Sequence, residues 1–505
     1  MVILFSKQRA SELLTVAASL LLLAFAGCAT VQQPQRQNLV SDDGQIRDCA
    51  RSFKELDAVV AGAGVADIAA RRVEGFPYLR TDRFTASFAE SAISDAPVRE
   101  AWIDRMRELD AAGRRVEIAN LPAAEIDRFD VSGRDELVSL THQCAALMLA
   151  TDLRHKSTIE LLAQRARVKD DYSSTKRFFG LYAITRLPFY SGVTDWQEEA
   201  TQKILLARRG EPPEHPVVRY LPPDVPVYSR AQVRELLAGA ATDPLGLPQI
   251  SEQQRERLFA TYAPVLEIET TGDFDRIGKL LWSDSDTPAV EVSRPTVYRR
   301  LAFTRYEDRT LLQLVYVAWL PERPKDSNTD LLGGQLDGIV WRVTLAPTGE
   351  PVLFDSIHPC GCYHTFFPTP RIEPLPSPQR TLEWAFTPAV LPSIGEDSRL
   401  VISAETRTHY LRNVWPAESG DGTPYSFADY DELRTLPLPT GGSRSAFGPN
   451  GLVPGTERGE RYLFWPMGIA SPGAMRQSGT QATAFVGRRH FDDADLIELR
   501  FRLKE

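Results

Sequence analysis

The sequence predicts an α+β fold, in which an N-terminal helical bundle precedes a β-rich antiparallel sandwich or open barrel. Prolines divide the chain: only five of the 36 lie in the first 210 residues, and the other 31 lie in the remaining 295. Long helices do not tolerate that second density. Apolar residues follow a helical spacing before residue 210 and alternate in strand-like runs beyond it. With 43% hydrophobic and 25% charged residues, the chain has the composition of a folded globular protein.

Apolar residues in the first half recur at intervals of three and four. One such stripe contains Ile46, Cys49, Phe53, Leu56 and Val60. Helices with an apolar stripe bury it against one another. The pattern predicts a helical domain over residues 46–210.

The second half begins with a proline-rich stretch, and strand patterns follow it. Residues 211–290 are predicted to be a linker with short helices, and residues 291–505 a β-rich domain. Residues 296–305 and 310–320 are rich in β-formers and predict a hairpin, as do residues 339–345 with 352–357. Further strand candidates cover residues 400–414, 462–464, 482–486 and 496–503.

The N-terminus has the layout of an export signal. Lys7 and Arg9 precede an apolar run over residues 13–27. As a helix this run is about 22 Å long, shorter than the roughly 30 Å of a hydrocarbon core. Residues 1–27 are therefore predicted to be a signal peptide. The polar residues that follow predict a flexible tether over residues 28–45.

The small pair Ala26-Gly27 directly before Cys28 resembles the lipobox of bacterial lipoproteins. That resemblance implies acylation of Cys28, with palmitate among the attached chains. Ala29 at the next position resembles lipoproteins that reach the outer membrane, which implies anchoring there, facing the periplasm. Two stretches, residues 75–80 and 486–493, also resemble uncharacterised proteobacterial envelope lipoproteins, a resemblance that brings no activity with it.

Four cysteines remain when Cys28 is acylated, in a compartment that oxidises thiols. Cys49 and Cys144 each lie on the apolar stripe of a predicted helix. Neither has basic or polar ligand neighbours, so a structural disulfide between them is predicted.

The densest group of reactive residues is His358-Pro359-Cys360-Gly361-Cys362-Tyr363-His364. Three alternatives remain open for it: a disulfide between Cys360 and Cys362, a zinc or copper site formed by the two histidines and two cysteines, or a redox-active thiol pair. A metal site requires a turn at Gly361, because the histidines of a straight strand lie about 20 Å apart. Asp355 and His409 are candidates for a third ligand or for second-shell contacts.

The net charge and the absence of several catalytic motifs reduce the number of functions that the sequence allows. A formal net charge of -9 disfavours nucleic-acid binding, and the sequence lacks H-E-x-x-H, G-x-S-x-G and Walker motifs. We expect an exported, lipid-anchored envelope protein that acts as a binding or structural module, with a membrane contact through the anchor and an envelope protein or glycan as partner. The alternative is a metal- or thiol-dependent envelope enzyme centred on the His358–His364 cluster. A glycan ligand would require a groove lined by paired carboxylates and by the tryptophans of the second half, Trp319, Trp341, Trp384, Trp415 and Trp465.

Overall fold

The computed structural model describes residues 34–283, 287–395 and 398–504. It has an α+β architecture with a helical N-terminal region and a strand-rich C-terminal part, so the predicted fold class is confirmed. Cys28 and the predicted signal peptide lie outside the described residues. Among the described residues, no helix combines the length and apolarity needed to cross a bilayer.

Helices form most of the N-terminal region. Gly44–Ala63 begins at Asp43, whose carboxylate accepts hydrogen bonds from the first-turn backbone, and ends at Gly64 in the left-handed conformation. It buries the apolar stripe that its sequence predicts. The α-helices of the described chain span Pro34–Asn38, Gly44–Ala63, Arg83–Ala86, Ser91–Ser94, Ala96–Asn120, Ala123–Ile126, Arg134–Asp152, Lys156–Arg165, Ser174–Phe179, Tyr182–Arg208, Arg230–Gly239, Glu252–Tyr262 and Arg461–Phe464.

A disulfide joins two helices of this region. Cys49 of Gly44–Ala63 bonds to Cys144 of Arg134–Asp152, with the sulfur atoms 1.98 Å apart and the Cα atoms 5.2 Å apart. The predicted Cys49–Cys144 bridge is confirmed.

A buried ion cluster lies between the helices and a short hairpin. Arg80 is fully buried; its Nε donates to Asp110 at 3.0 Å and its Nη2 to Glu117 at 2.7 Å. Burial alone lowers the pKa of Arg80, but the carboxylates of Glu117 and Asp110 outweigh it and raise that pKa. Gly113 leaves room for the guanidinium, because a Cβ there would lie 2.4 Å from Nη1 of Arg80.

Strands dominate after residue 211 and form two larger sheets. The strands are β1 (Arg71–Val73), β2 (Phe76–Thr81), β3 (Val217–Leu221), β4 (Val265–Glu269), β5 (Lys279–Leu281), β6 (Ala289–Glu291), β7 (Thr296–Tyr306), β8 (Arg309–Arg323), β9 (Gly334–Leu345), β10 (Pro351–Ile357), β11 (Thr365–Pro368), β12 (Ile372–Pro374), β13 (Arg399–Ala404), β14 (Leu411–Ala417), β15 (Thr423–Pro424), β16 (Ser426–Asp429), β17 (Leu436–Pro437), β18 (Ser443–Arg444) and β19 (Phe501–Leu503). Short 3-10 turns cover Asp273–Asp275, Tyr430–Arg434 and Trp465–Met467.

The larger sheet has the order β11-β10-β9-β8-β7-β16, antiparallel except for the β16–β7 pair. Its β7–β8 hairpin pairs Tyr306 with Arg309 across a two-residue turn, and Glu307 has a φ of 52° there. The predicted hairpins β7–β8 and β9–β10 are confirmed.

The second sheet has the order β14-β13-β4-β3-β15 and mixes parallel with antiparallel pairs. Buried residues of both sheets share one core, which includes Ile268 and Ile402 from the second sheet and Leu314 and Trp341 from the first. The opposite face of the six-stranded sheet packs under the C-terminal loops, with Trp319 in that core. The central strands are consequently buried on both faces, which explains their nearly continuous apolar runs.

Several predicted segments need correction. Residues 211–290 are not a linker: they supply β3 and β4, which pair inside the second sheet because their apolar side chains are buried there. The tether does not reach residue 45, since Asn38 is buried and donates to Asp152. Residues 462–464 are helical, residues 482–486 form no strand, and residues 496–503 contribute only Phe501–Leu503.

The helix Tyr182–Arg208, called the groove helix below, does not belong to the N-terminal bundle. It packs on β14, and its Ile204 is buried in the core that the two sheets share. The helical domain predicted over residues 46–210 therefore ends before this helix. The groove helix brings its side chains to the loop that contains Cys360 and Cys362.

Candidate functional site

The loop at residues 358–364 connects β10 to β11 in a tight turn. The His358 N–H donates to the Cys362 carbonyl at 3.0 Å, and the Gly361 N–H donates to the His358 carbonyl at 2.8 Å. Gly361 has a φ of 94°, and a Cβ there would lie 2.5 Å from the carbonyl oxygen of Ala482. Glycine is therefore required at this position. The chain does turn at Gly361, as a metal site formed by these residues would require.

The turn does not bring the four side chains together as the metal-site alternative requires. Nδ1 of His358 lies 3.0 Å from Asp337, and Nε2 of His364 lies 2.8 Å from Asp355. Each imidazole thus faces a different buried carboxylate. Within the described residues, no group of three or more histidine, cysteine, aspartate or glutamate side chains has a geometry suited to a metal ion.

Cys360 and Cys362 are free thiols, so this structure does not contain the disulfide that was one of the three alternatives for the pair. The Cys362 N–H donates to the Cys360 sulfur at 3.4 Å. Burial alone raises the pKa of Cys360, but hydrogen bonding from Cys362 and the nearby His358 lower it overall. The hydrogen bond to Cys360, together with burial, raises the pKa of Cys362.

His364 is held by a buried carboxylate. Asp355 accepts two hydrogen bonds from Arg342, at 2.9 Å and 2.6 Å, and binds Nε2 of His364. Burial opposes ionisation of Asp355, but Arg342 keeps its pKa below the usual value. Burial lowers the pKa of His364 to about 3, so the ring is neutral. Because the ionised Asp355 accepts the proton on Nε2, Nδ1 is left as an acceptor, and this buried atom has no hydrogen-bond partner in the described chain.

His409 belongs to a second network. Its Nε2 lies 3.2 Å from Asp275 and its Nδ1 2.9 Å from Asp337, which also binds His358. Burial alone lowers the pKa of His409, but the two carboxylates raise it above its usual value. His409 bridges the two carboxylates and holds Asp337 in place, and Asp337 in turn orients His358.

An apolar groove with a volume of about 430 Å³ lies between the groove helix and this loop. Phe189, Val193 and Trp196 follow one another at helical spacing along its wall. The Trp196 ring lies 5.1 Å from the ring of Tyr363. The groove is lined by Pro188, Phe189, Gly192, Val193, Trp196, Gln197, Leu332, Cys362, Tyr363, His364, Glu383, Tyr410, Glu460, Phe464 and Phe485.

Two glutamates line this groove. Burial raises the pKa of Glu460 to about 7, against the opposing effect of Arg458 and other arginines. No hydrogen bond or ion pair engages its side chain in the described part of the molecule. Burial also raises the pKa of Glu383, whose carboxylate accepts the Phe485 N–H at 2.7 Å. Glu460 can therefore change charge near neutral pH.

We expect Glu460→Gln to stabilise the protein at pH 8 by about 3 kcal/mol and to change its stability little at pH 4. The folded-state pKa of about 7 exceeds the ordinary glutamate value of 4.5. The wild-type chain therefore loses stability as the pH rises from the ordinary glutamate pKa of 4.5 toward 7, because Glu460 ionises more easily in the unfolded state than in the folded state. The glutamine variant lacks this loss.

Urea titrations of both chains across this pH range measure the difference, and Glu498→Gln, at an exposed position, serves as the control. Equal stabilities of the wild-type and Glu460→Gln chains at pH 8 would contradict the raised pKa.

Two larger depressions, of about 900 and 550 Å³, lie on the described surface. The first is lined by Arg83, Glu90 and Asp493 among others, and the second by several arginines and aspartates. Ion pairs engage several of these charged groups: Arg83 pairs with Asp171 at 2.8 Å, and Arg255 pairs with Asp429 at 3.4 Å. The smaller groove is the better ligand site because its mostly apolar lining includes His364 and Glu460, two polar side chains with unmet hydrogen-bonding capacity among the described residues.

The structure brings only part of the predicted site together. Cys362 and His364 line the groove, whereas His358, Cys360 and Asp355 do not. Sequence reasoning missed Trp196, Glu383 and Glu460. The helical spacing of Phe189, Val193 and Trp196 was a readable signal for one wall, but nothing in the sequence connects Glu460 to residue 364. The tryptophans expected in a glycan groove do not line it; Trp319 and Trp341 are buried in the sheet cores.

No protein-family model matches the chain, and no curated protein or solved structure is significantly similar to it. The residues of the groove are therefore the basis for inferring a function.

Proposed function

We propose that this protein is exported, anchored to the outer membrane through a lipid on Cys28, and binds an apolar ligand in the groove. The lipobox-like leader supports the proposed export and lipid anchoring. The Cys49–Cys144 disulfide supports export, because disulfides persist outside the cytosol.

One observation carries the binding proposal: the apolar walls of the groove include two polar side chains, His364 and Glu460, that have unmet hydrogen-bonding capacity among the described residues. Nδ1 of His364 is a buried acceptor without a partner there, and Glu460 can donate or accept depending on pH. A buried polar group without a partner destabilises the protein, and a ligand that supplies the hydrogen bond removes that penalty. The ligand that fits has an apolar or aromatic body and a neutral head that bears a hydroxyl group.

Aromatic side chains form part of the groove wall. Trp196 lies within 5.4 Å of Phe386 and within 6.0 Å of Tyr410, measured between ring centroids. The Tyr410 hydroxyl donates to that of Tyr363 at 2.8 Å, and Arg323 donates to Tyr410 at 3.1 Å. These bonds hold the aromatic wall in place before a ligand binds, which reduces the entropy lost on binding.

Binding of 1-N-phenylnaphthylamine, a neutral apolar fluorophore, tests this proposal. We expect saturable binding of the dye by the full chain, and Trp196→Ala to weaken it about tenfold through lost aromatic contact. Trp415→Ala is the matched control, since Trp415 does not line the groove, and should leave the affinity unchanged.

Equal affinity of the wild-type and Trp196→Ala chains would overturn the proposal, because the dye would then bind elsewhere. A long-chain alcohol should displace the dye. Displacement by an oligosaccharide instead would favour the glycan as ligand.

The second candidate is a thiol-dependent enzyme, favoured by the lowered pKa of Cys360 beside a groove that Cys362 lines. A thiolate is the reactive form of cysteine. Rapid alkylation of Cys360 by iodoacetamide at neutral pH would support this candidate. The burial of Cys360 and the raised pKa of Cys362 favour ligand binding over thiol chemistry.

A further inference from the structure

A second exposed apolar surface lies beside the groove. Two segments form it: residues 174–187, which include the helix Ser174–Phe179 and the start of the groove helix, and residues 461–465. Six of its large apolar residues are between 56% and 76% exposed: Phe178, Phe179, Leu181, Ile184, Tyr462 and Leu463. We call this surface the aromatic-basic face.

The two segments form one continuous surface because residues within them pack on residues directly beyond their ends. Arg177 donates through Nε to the Met467 carbonyl at 2.8 Å, and Phe189 contacts Phe464 with ring centroids 5.1 Å apart. Gly180 lies against Pro466, where a Cβ would come within 2.6 Å of the proline ring. Close packing on the inner side leaves the phenylalanines, leucines and tyrosine directed away from the core.

The charge of this face is opposite to that of the whole protein. Residues 173–194 contain Lys176, Arg177 and Arg186 and no acidic residue, in a chain with a formal net charge of -9. Residues 461–469 add Arg461, again without an acidic residue. Arg177 is buried against Tyr172 and Tyr182, whereas no carboxylate in the described residues pairs with Lys176, Arg186 or Arg461.

We propose that the aromatic-basic face binds the surface of an anionic lipid bilayer. Surfaces that insert at a membrane interface combine exposed apolar side chains with lysine and arginine, as this face does. The apolar side chains enter the acyl region, and the basic groups contact lipid phosphates. The chemistry of this face favours a bilayer over a second copy of the chain, because two such faces would bring unpaired positive charges together.

This contact is separate from the lipid on Cys28 and from ligand binding in the groove. It orients the body of the protein on the membrane. Phe189 and Phe464 line the groove, and both also belong to or adjoin the segments of this face. The face therefore places the groove entrance next to the bilayer, where apolar ligands are concentrated.

Photo-crosslinking of the full chain tests the proposal. The protein is mixed with vesicles of phosphatidylcholine and phosphatidylglycerol that contain a phospholipid with a photoreactive acyl chain, and the cross-linked residues are mapped by mass spectrometry. We expect cross-links at residues 178–187 and 461–465. In the variant Phe178→Ser/Phe179→Ser/Tyr462→Ser we expect these cross-links to fall about tenfold, because three exposed apolar anchors are lost.

Val40→Ser/Val390→Ser/Leu499→Ser is the matched control, since these apolar residues are 51% to 77% exposed elsewhere, and its cross-links should equal those of the wild type. Lys176→Gln, or omission of phosphatidylglycerol, should reduce cross-linking at this face, by about fivefold for the single lysine.

Cross-links confined to other surfaces, or an undiminished yield in the triple variant, would overturn the proposal. So would a dimer, observed by sedimentation without vesicles, that the same variant abolishes, because the face would then bind a second copy. Dye binding in the groove should survive the triple variant, so failure of this proposal is distinguishable from failure of the ligand-binding proposal.

Discussion

Replacement of Arg80 by methionine is expected to lower the free energy of unfolding by about 3 to 5 kcal/mol. Arg80 is fully buried and donates to Asp110 and Glu117. Methionine fills much of the same volume without charge, so both carboxylates lose their shared donor. Removal of one member of a buried ion cluster leaves a buried charge without its closest donor in a low-dielectric interior.

Neighbouring arginines determine which of the two carboxylates is more strongly affected when Arg80 is replaced. Arg72 donates to Glu117 at 2.8 Å, and Arg114 lies 3.5 Å from Asp110. Glu117 therefore keeps a close donor after the substitution, whereas Asp110 does not. The double variant Arg80→Met/Asp110→Asn should accordingly recover part of the lost stability.

Urea or guanidinium titration at neutral pH measures these differences. Arg51→Met is the matched control: Arg51 is exposed and its ion pair with Asp48 is 3.6 Å long, so a change within about 0.5 kcal/mol is expected. A loss below about 1 kcal/mol in Arg80→Met would contradict the burial of this cluster.

Removal of the Cys49–Cys144 disulfide is expected to destabilise the protein by about 4 to 5 kcal/mol. The two cysteines are 95 residues apart in sequence, so the bridge removes a large amount of loop-closure entropy from the unfolded chain. Cys49→Ala/Cys144→Ala is the appropriate variant, because a single substitution would leave an unpaired thiol. Alanine also keeps the apolar character of both positions.

Denaturant titration with and without dithiothreitol checks this expectation. The reductant should lower the stability of the wild type to that of the double variant and should leave the variant itself unchanged. Cys362→Ser controls for the free thiols and should retain the full response to the reductant. Free thiols at residues 49 and 144 in the non-reduced protein would contradict the bridge.

The sequence alone was sufficient for features that depend on short-range patterns. The stripe from Ile46 to Val60 predicted a helix, and Tyr306 to Arg309 predicted a hairpin turn. The pairing of Cys49 with Cys144 was also predictable, because each of these two cysteines lies on the apolar stripe of a predicted helix, and helix packing buries such stripes against one another.

Segments whose structure depends on distant partners were not predictable. The strand β4 looked like part of a linker, since a five-residue strand is stabilised only by the neighbours β3 and β13 that lie far away in sequence. Tyr462 to Phe464 is β-prone in composition but helical, because it packs on the groove helix through Phe464 and Phe189.

In the cluster from His358 to His364, too, short-range features were predictable and contacts with distant residues were not. Its residue types predicted a turn with reactive groups, and Gly361 does form that turn. Whether the histidines meet at one metal was decided by Asp337 and Asp355, which bind them separately from β9 and β10.

By itself, the sequence determined the fold class, the helical stripes, the main hairpins and the disulfide, because each depends on local periodicity or on residue type. The tertiary structure alone decided the groove: Trp196, His364 and Glu460 are far apart along the chain and meet only when the groove helix packs on the second sheet. Burial then changes the pKa of Glu460 and isolates Nδ1 of His364, and burial is a property of the packed molecule that no single segment contains.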